Sequence, residues 1–258
     1  MLKGFENKDP PRVKNLVVHT DLPDCMCKWG HIKGRSPQQQ AVGDWVMIGF
    51  YYPSCVGGYT APKQWDRQPR TQQFLVNDVT FFKLSKTCGF LSPLLINKTR
   101  LELLAAVAAT LRVTEQNLFF KGACVHHGSL EVQIFACPVK ALARQVSHIC
   151  VHTSYETKFL CEYWNSIGRG NVTDRDISFY MKITAEKLGY PIRNILPDRI
   201  DTYSNQAGGA CAMKLAGFDD GSIRKMGIWL TYLEITPIYA VECIPINNLT
   251  TATIFPFF

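Results

Sequence analysis

The chain has 258 residues, of which 47% are hydrophobic and 19% charged, enough apolar material for one large domain or two small ones. A net charge of +7 and a pI near 8.9 favour an anionic partner such as nucleic acid. "MLKGFENKDPPR" carries no secretory leader, and the longest apolar run, "LLAAVAATL", is far short of the ~20 residues needed to cross a bilayer, so secreted and membrane-spanning classes are set aside.

Residues 1–33 are polar, with Pro10-Pro11 and little periodicity, and read as a linker or arm. They hold His19, Cys25, Cys27 and His31, but C-x-C is not the usual zinc spacing and no metal is expected. Ser36 is a good N-cap and Pro37 suits the first helical position. "QQQAVGDWVMIGFYY" then predicts a mostly buried helix, stopped by Pro53. "PSCVGGYTAPKQW" is rich in turn residues, and "TQQFLVNDVTFFK" alternates like a strand. "AAVAATLRVTEQ" and "KGACVHHGS" suggest a hairpin around "NLFF", followed by a short extended "EVQIFACP".

Pro138 opens a helix, "PVKALARQVSHICVH", with apolar residues at spacings of three and four. Its "HICVH" (His148, Cys150, His152) is assigned to core and surface positions rather than to zinc. Thr173 caps "DRDISFYMKITAEKL", which Gly189 closes. Ser204 or Asn205 is expected to cap a helix running to Gly217, and Asp219 or Asp220 a shorter one through "GSIRKMG". Within the first of these, Ala207-Gly208-Gly209-Ala210 implies a close approach by another group, since glycine costs a helix about 1 kcal/mol relative to alanine. The ten cysteines sit mostly in apolar runs and read as small core residues of a reducing compartment. These elements make an α+β, helix-dominant chain.

"AVGDWVMIGFYYPSCVGGYT", "RTQQFLVNDVTFFK", "CPVKALARQVSHI", "VTDRDISFYMKITAEKLGYP" and "RIDTYSNQAGGACAMKLAGFDDGSIRKMGIW" resemble, in this order, the catalytic domain of tyrosine recombinases. The similarity is in particular to recombinases of eukaryotic mobile elements of the DIRS and Crypton kinds. It covers residues 10–245 and implies an arm at 1–33, a catalytic domain with a small antiparallel sheet at 34–245 and a tail at 246–258. The upstream helical clamp of the family is expected to be missing.

In that family a tyrosine attacks a DNA phosphodiester to leave a 3′-phosphotyrosine. Two arginines and a hairpin lysine stabilise the charge that develops on phosphate. Matched residue by residue, Cys55 stands at the first arginine and Gly58 at the glutamate that follows it. Tyr203 and Gln206 replace the histidine and second arginine, and Ile228 the arginine of a Gly-Arg-Trp element whose Trp229 persists. Tyr239 is favoured over Tyr232 as the attacking residue. The hairpin lysine is Lys121, or its place is taken by Asn117. Losing one such donor costs roughly 100- to 1000-fold in rate, and two could cost about 10⁴-fold or more. The resemblance therefore implies a DNA-binding protein defective in cleavage. Its DNA-facing cations would be Lys121, Lys140, Arg144, Lys214, Arg224 and Lys225. Double-stranded DNA is the expected partner, with a homo-oligomer on DNA, no cofactor, no membrane, and a nuclear or cytoplasmic site with the nucleus favoured. The alternatives are an active recombinase using Tyr239 with Arg67 or Arg70, and a non-DNA interaction module that keeps the fold.

Overall fold

A computed structural model describes residues 16–52, 58, 60, 61, 73–85, 90–96, 99–114, 121–130, 135–152 and 158–227, with backbone alone at 113, 114, 121–124 and 224–227. The first element corrects the expected arm. Asp21–Gly30 forms a helix, α1, that buries Leu22, Met26 and Cys27 on one side. Asp21 and Asp24 in its first turn and Lys28 in its last complement the helix dipole. The polar composition hid this helix because its buried stripe is made partly of Pro23, Cys27 and Gly30 rather than of large apolar residues. The next helix, α2 (Pro37–Tyr51), begins as expected. The Ser36 hydroxyl accepts from the Gln39 N–H at 3.3 Å, and the Gln39 side chain accepts from the Ser36 N–H at 3.1 Å. Every residue from Ala41 to Tyr51 is buried. A Cβ at Gly43 would lie 2.7 Å from the Met26 carbonyl oxygen, so α1 and α2 cross almost backbone to backbone.

The expected strand at 71–83 is shorter and later. Val76–Asp78 is a single 3₁₀ turn, closed where the Asp78 carboxylate accepts from the Leu75 N–H at 2.9 Å, and β1 is Val79–Leu84. β2 (Leu91–Leu94) and a short helix α3 (Arg100–Leu104) follow, then β3 (Ala108–Thr114) and β4 (Lys121–Gly128). The four strands form an antiparallel sheet in the order β2-β1-β3-β4. β3 and β4 pair as the predicted hairpin, with Leu111 opposite Val125.

Among the described residues His127 is the titratable group buried on that sheet with Phe81, Ala109, Leu111 and Val125. Its Nε2–H donates to the Tyr51 carbonyl at 2.8 Å, and its ring meets Tyr52 edge-on at 4.3 Å. Burial drives its pKa down to about 4. The unfolded chain takes up this proton near pH 6.5, whereas the folded one resists until about pH 4. Stability from this residue is therefore complete above pH 6.5 and falls as the pH drops to about 4. The expected loss is about 3 kcal/mol, measured by urea unfolding across that window. His127→Gln, which keeps a donor for Tyr51, is expected to flatten the dependence.

α4 spans Pro138–His152, β5 (Glu162–Asn165) and β6 (Gly168–Asn171) form a second hairpin, and α5 spans Asp174–Lys187. Thr173 caps α5 together with Asp176, and Gly189 follows it at φ +72°, as the sequence predicts. The next helix, α6 (Thr202–Leu215), starts earlier than expected. Its cap is Asp201, whose extended backbone lets the carboxylate accept from the Ser204 N–H at 3.1 Å. Ser204 and Asn205 are consequently interior and buried. Gly217 ends α6 at φ +89°, and Asp219 accepts from the N–H groups of Gly221 and Ser222 to start α7 (Asp220–Gly227). The architecture is α+β and about half helical, with α2 in contact with α1, α4, α5, α6 and β5. Among the described residues no helix is long and apolar enough to cross a membrane.

Candidate functional site

Many of the expected recombinase positions lie outside the described residues: Cys55, Arg67, Arg70, Asn117, Ile228, Trp229, Tyr232 and Tyr239, with the side chains of Lys121, Arg224 and Lys225. Of those that are described, Tyr203 and Gln206 lie on the first turns of α6, the helix that crosses α2. Asn205 donates its amide to the Val46 carbonyl at 3.0 Å. Tyr203 is exposed on the first turn of α6, while Gln206 is buried one turn on. The small-residue patch makes the close approach that its glycines imply. A Cβ at Gly208 would collide with the Val18 carbonyl oxygen and come within 3.0 Å of the Phe50 ring. The segment before α1 is held here too, with the Val18 N–H donating to the Ser204 carbonyl at 3.3 Å. At Gly58 the carbonyl accepts from the Phe74 N–H at 2.7 Å, and a Cβ would press on the Phe74 ring at 3.0 Å.

Two of the proposed DNA-facing cations point inward instead. Lys140 is buried and its ammonium donates to the Leu130 carbonyl at 2.7 Å. Arg144, one turn further along α4, is 5% exposed. Its Nε and Nη2 donate to Asp44 Oδ1 at 2.8 and 2.6 Å, and Nη2 also reaches Cys27 Sγ at 3.0 Å. The reason is geometric: the face of α4 carrying 140 and 144 packs toward α2 and the sheet rather than toward solvent. Lys214 does stay on the surface, where it pairs with Asp220 at 2.7 Å.

Asp44 is the centre of a buried charge cluster. His31 Nε2 lies 3.0 Å from both of its carboxylate oxygens, opposite the guanidinium. Burial opposes ionisation of Asp44, yet the Arg144 charge and the His31 bond outweigh it and hold the carboxyl below its ordinary range. Burial, reinforced by the Asp44 charge, keeps Cys27 a thiol. Cys27, His31 and Asp44 have donor atoms within 4.8 Å of one another, so two of the four His and Cys residues weighed as a zinc cluster do converge. His19 does not join them; its ring meets Tyr190 edge-on. The trio's charge is already balanced, because the Arg144 guanidinium bonds both the carboxylate and the sulfur. A divalent cation would have to expel it.

Outward from this cluster runs a cleft of about 380 Å³, between α2, the start of α3 and α4. Arg144, His148 and His152 form its α4 wall at successive turns, and Arg100 faces them from α3. The Trp164 N–H donates to His148 Nε2 at 2.9 Å, and the His152 ring stacks on Trp164 at 5.6 Å. Burial, with smaller contributions from His152 and Arg100, lowers the pKa of His148 and favours its neutral form. The sequence signal for the floor was present but unread: one acid in "AVGDWVM" and one base in "ALARQV", each the single charged residue of its stretch. Comparison of the chain with protein-family models, curated proteins and solved structures returned no match.

Proposed function

We propose that the chain is a double-stranded-DNA-binding protein of the tyrosine-recombinase lineage whose strand-cleaving site is degenerate. The observation that carries this reading is the crossing of α2 and α6. In the resembling family the helix before the first arginine and the helix bearing the second must meet, so that both cations reach one phosphate. Here the Asn205–Val46 bond and the Gly208–Phe50 contact join those two helices. The order of buried helix, antiparallel sheet and helical second half is in keeping with the same reading.

The chemistry at the crossing argues for binding without efficient cleavage. Gln206 offers a hydrogen-bonding amide and no charge, and it is buried. Tyr203 is an exposed phenol where an imidazole would be needed. Neither supplies a fixed cation for a developing phosphate charge. Attraction to DNA then rests on surface cations such as Lys214 and on the net charge of +7.

Two measurements test this. Affinity for a short duplex is expected to fall about 40-fold between 50 and 200 mM salt if about three phosphates are neutralised. A flat salt response would remove the DNA reading. On a nicked suicide duplex no covalent adduct is expected. A robust adduct that disappears in Tyr239→Phe would show that cleavage survives.

A further inference from the structure

The cleft above the Asp44–Arg144 pair has its neutral donors used by the fold, and Arg144 is spent on its floor, whereas Arg100 on the facing wall is not. The Gln145 amide donates to the carbonyls of Leu160 and Glu162, both at 2.7 Å. Ser147 donates to the Ala143 carbonyl at 2.6 Å, Thr99 to Glu102 at 2.8 Å, and Gln40 to the Arg35 carbonyl at 3.3 Å. Asp44, the acid in the lining, is balanced by Arg144 and also bonded by His31. Among the described residues no acid pairs with Arg100, and no hydrogen bond is made by His152.

His148 adds a donor of fixed direction. The Trp164 N–H occupies its Nε2, so the neutral ring carries its proton on Nδ1. The wall therefore offers a guanidinium, an N–H donor held by the backbone of β5, and a second imidazole one turn further along α4. A cleft of about 380 Å³ accommodates a small organic ligand. Its closed floor suits a terminal anionic group better than the continuous backbone of a duplex.

We propose that this cleft binds a small phosphate monoester, with the phosphate held by Arg100, His148 and His152. Three donors from two elements match the several oxygens of a tetrahedral dianion, and an arginine fork grips two of them. The site does not depend on DNA binding at the α2–α6 crossing. Binding tightens as the pH falls, because an imidazole gains positive charge in acid. The charged or titratable groups facing His148 are Arg100 from α3, Asp44 from α2, and Arg144 and His152 from α4, while Glu162 of β5 is paired with Arg169.

The test uses the full chain with inorganic phosphate and with sulfate, which stays dianionic across the range and isolates the protein's own titration. Calorimetry is expected to show sulfate binding more tightly at pH 5.5 than at pH 8. Phosphate is expected to shift the ring signals of His148 and His152. Arg100→Ala and His152→Ala are each expected to weaken binding about tenfold. Both variants should retain the wild-type affinity for duplex DNA, which separates this site from the recombinase reading. The proposal is overturned if neither variant changes sulfate or phosphate affinity, if phosphate leaves both ring signals unmoved, or if duplex DNA displaces the bound phosphate.

Discussion

Arg144→Met is expected to lower the free energy of unfolding by about 3–5 kcal/mol, because it strands a buried carboxylate. Asp44 would lose two hydrogen bonds at once and keep only the contacts from His31 and the Cys27 thiol, with no guanidinium charge beside it. Taking out both charges should be far milder. Asp44→Leu combined with Arg144→Met is expected to recover most of the loss, since apolar groups of similar volume need no compensating partner. The pH profile provides a second readout. The folded pKa of Asp44 is depressed, so its contribution is present above the unfolded carboxyl value of about 3.9 and is lost as the pH falls through the lower folded value. Arg144→Met should erase that acid-side loss. Urea unfolding of the three proteins decides the matter; a cost below about 1 kcal/mol for Arg144→Met, the range of an exposed ion pair, would show that the cluster is solvated.

Gly208→Ala is the second substitution expected to act strongly, and in the opposite sense to helix propensity. On an isolated helix it would stabilise by about 1 kcal/mol. In the folded chain its methyl group meets the Val18 carbonyl oxygen and lies 3.0 Å from both the Phe50 ring and the Val18 side chain. A carbonyl that is part of the backbone cannot step aside as a flexible side chain can. The expected net loss is about 2 kcal/mol, from overpacking that exceeds the propensity gain. Thermal unfolding provides the check, and a variant as stable as the parent would mean that α6 can move off Val18 freely. Because the same helix carries Tyr203 and Gln206, the variant is also expected to weaken duplex binding under the recombinase reading.

Local chemistry made a large part of the fold legible. Ser36 with Pro37, Thr173 with Asp176, and Gly189 act within a few residues of themselves, and each marks a helix end where the structure has one. The β3–β4 hairpin was likewise readable from two extended runs close in sequence. Elements whose signal is weak or displaced by one turn were not readable. α1 builds its buried stripe partly from a proline, a cysteine and a glycine, and α6 starts at Asp201 because an extended backbone there outcompetes the serine and asparagine that follow.

The sequence by itself thus determined the class of the chain, the ends of its better-capped helices, and the small residues that demand a close neighbour. Tertiary structure alone decided what those residues meet and which charges face water. Periodicity shows that Arg144 shares a face with Lys140, but not that this face is covered. The pairing with Asp44 spans 100 residues, and only chain packing sets such a distance. Once water is excluded there, an arginine that would be a surface cation on an open helix becomes the counter-charge of a buried acid. That exclusion, rather than the identity of the residue, separates the buried Arg144 from the more exposed His148 and His152 beside it.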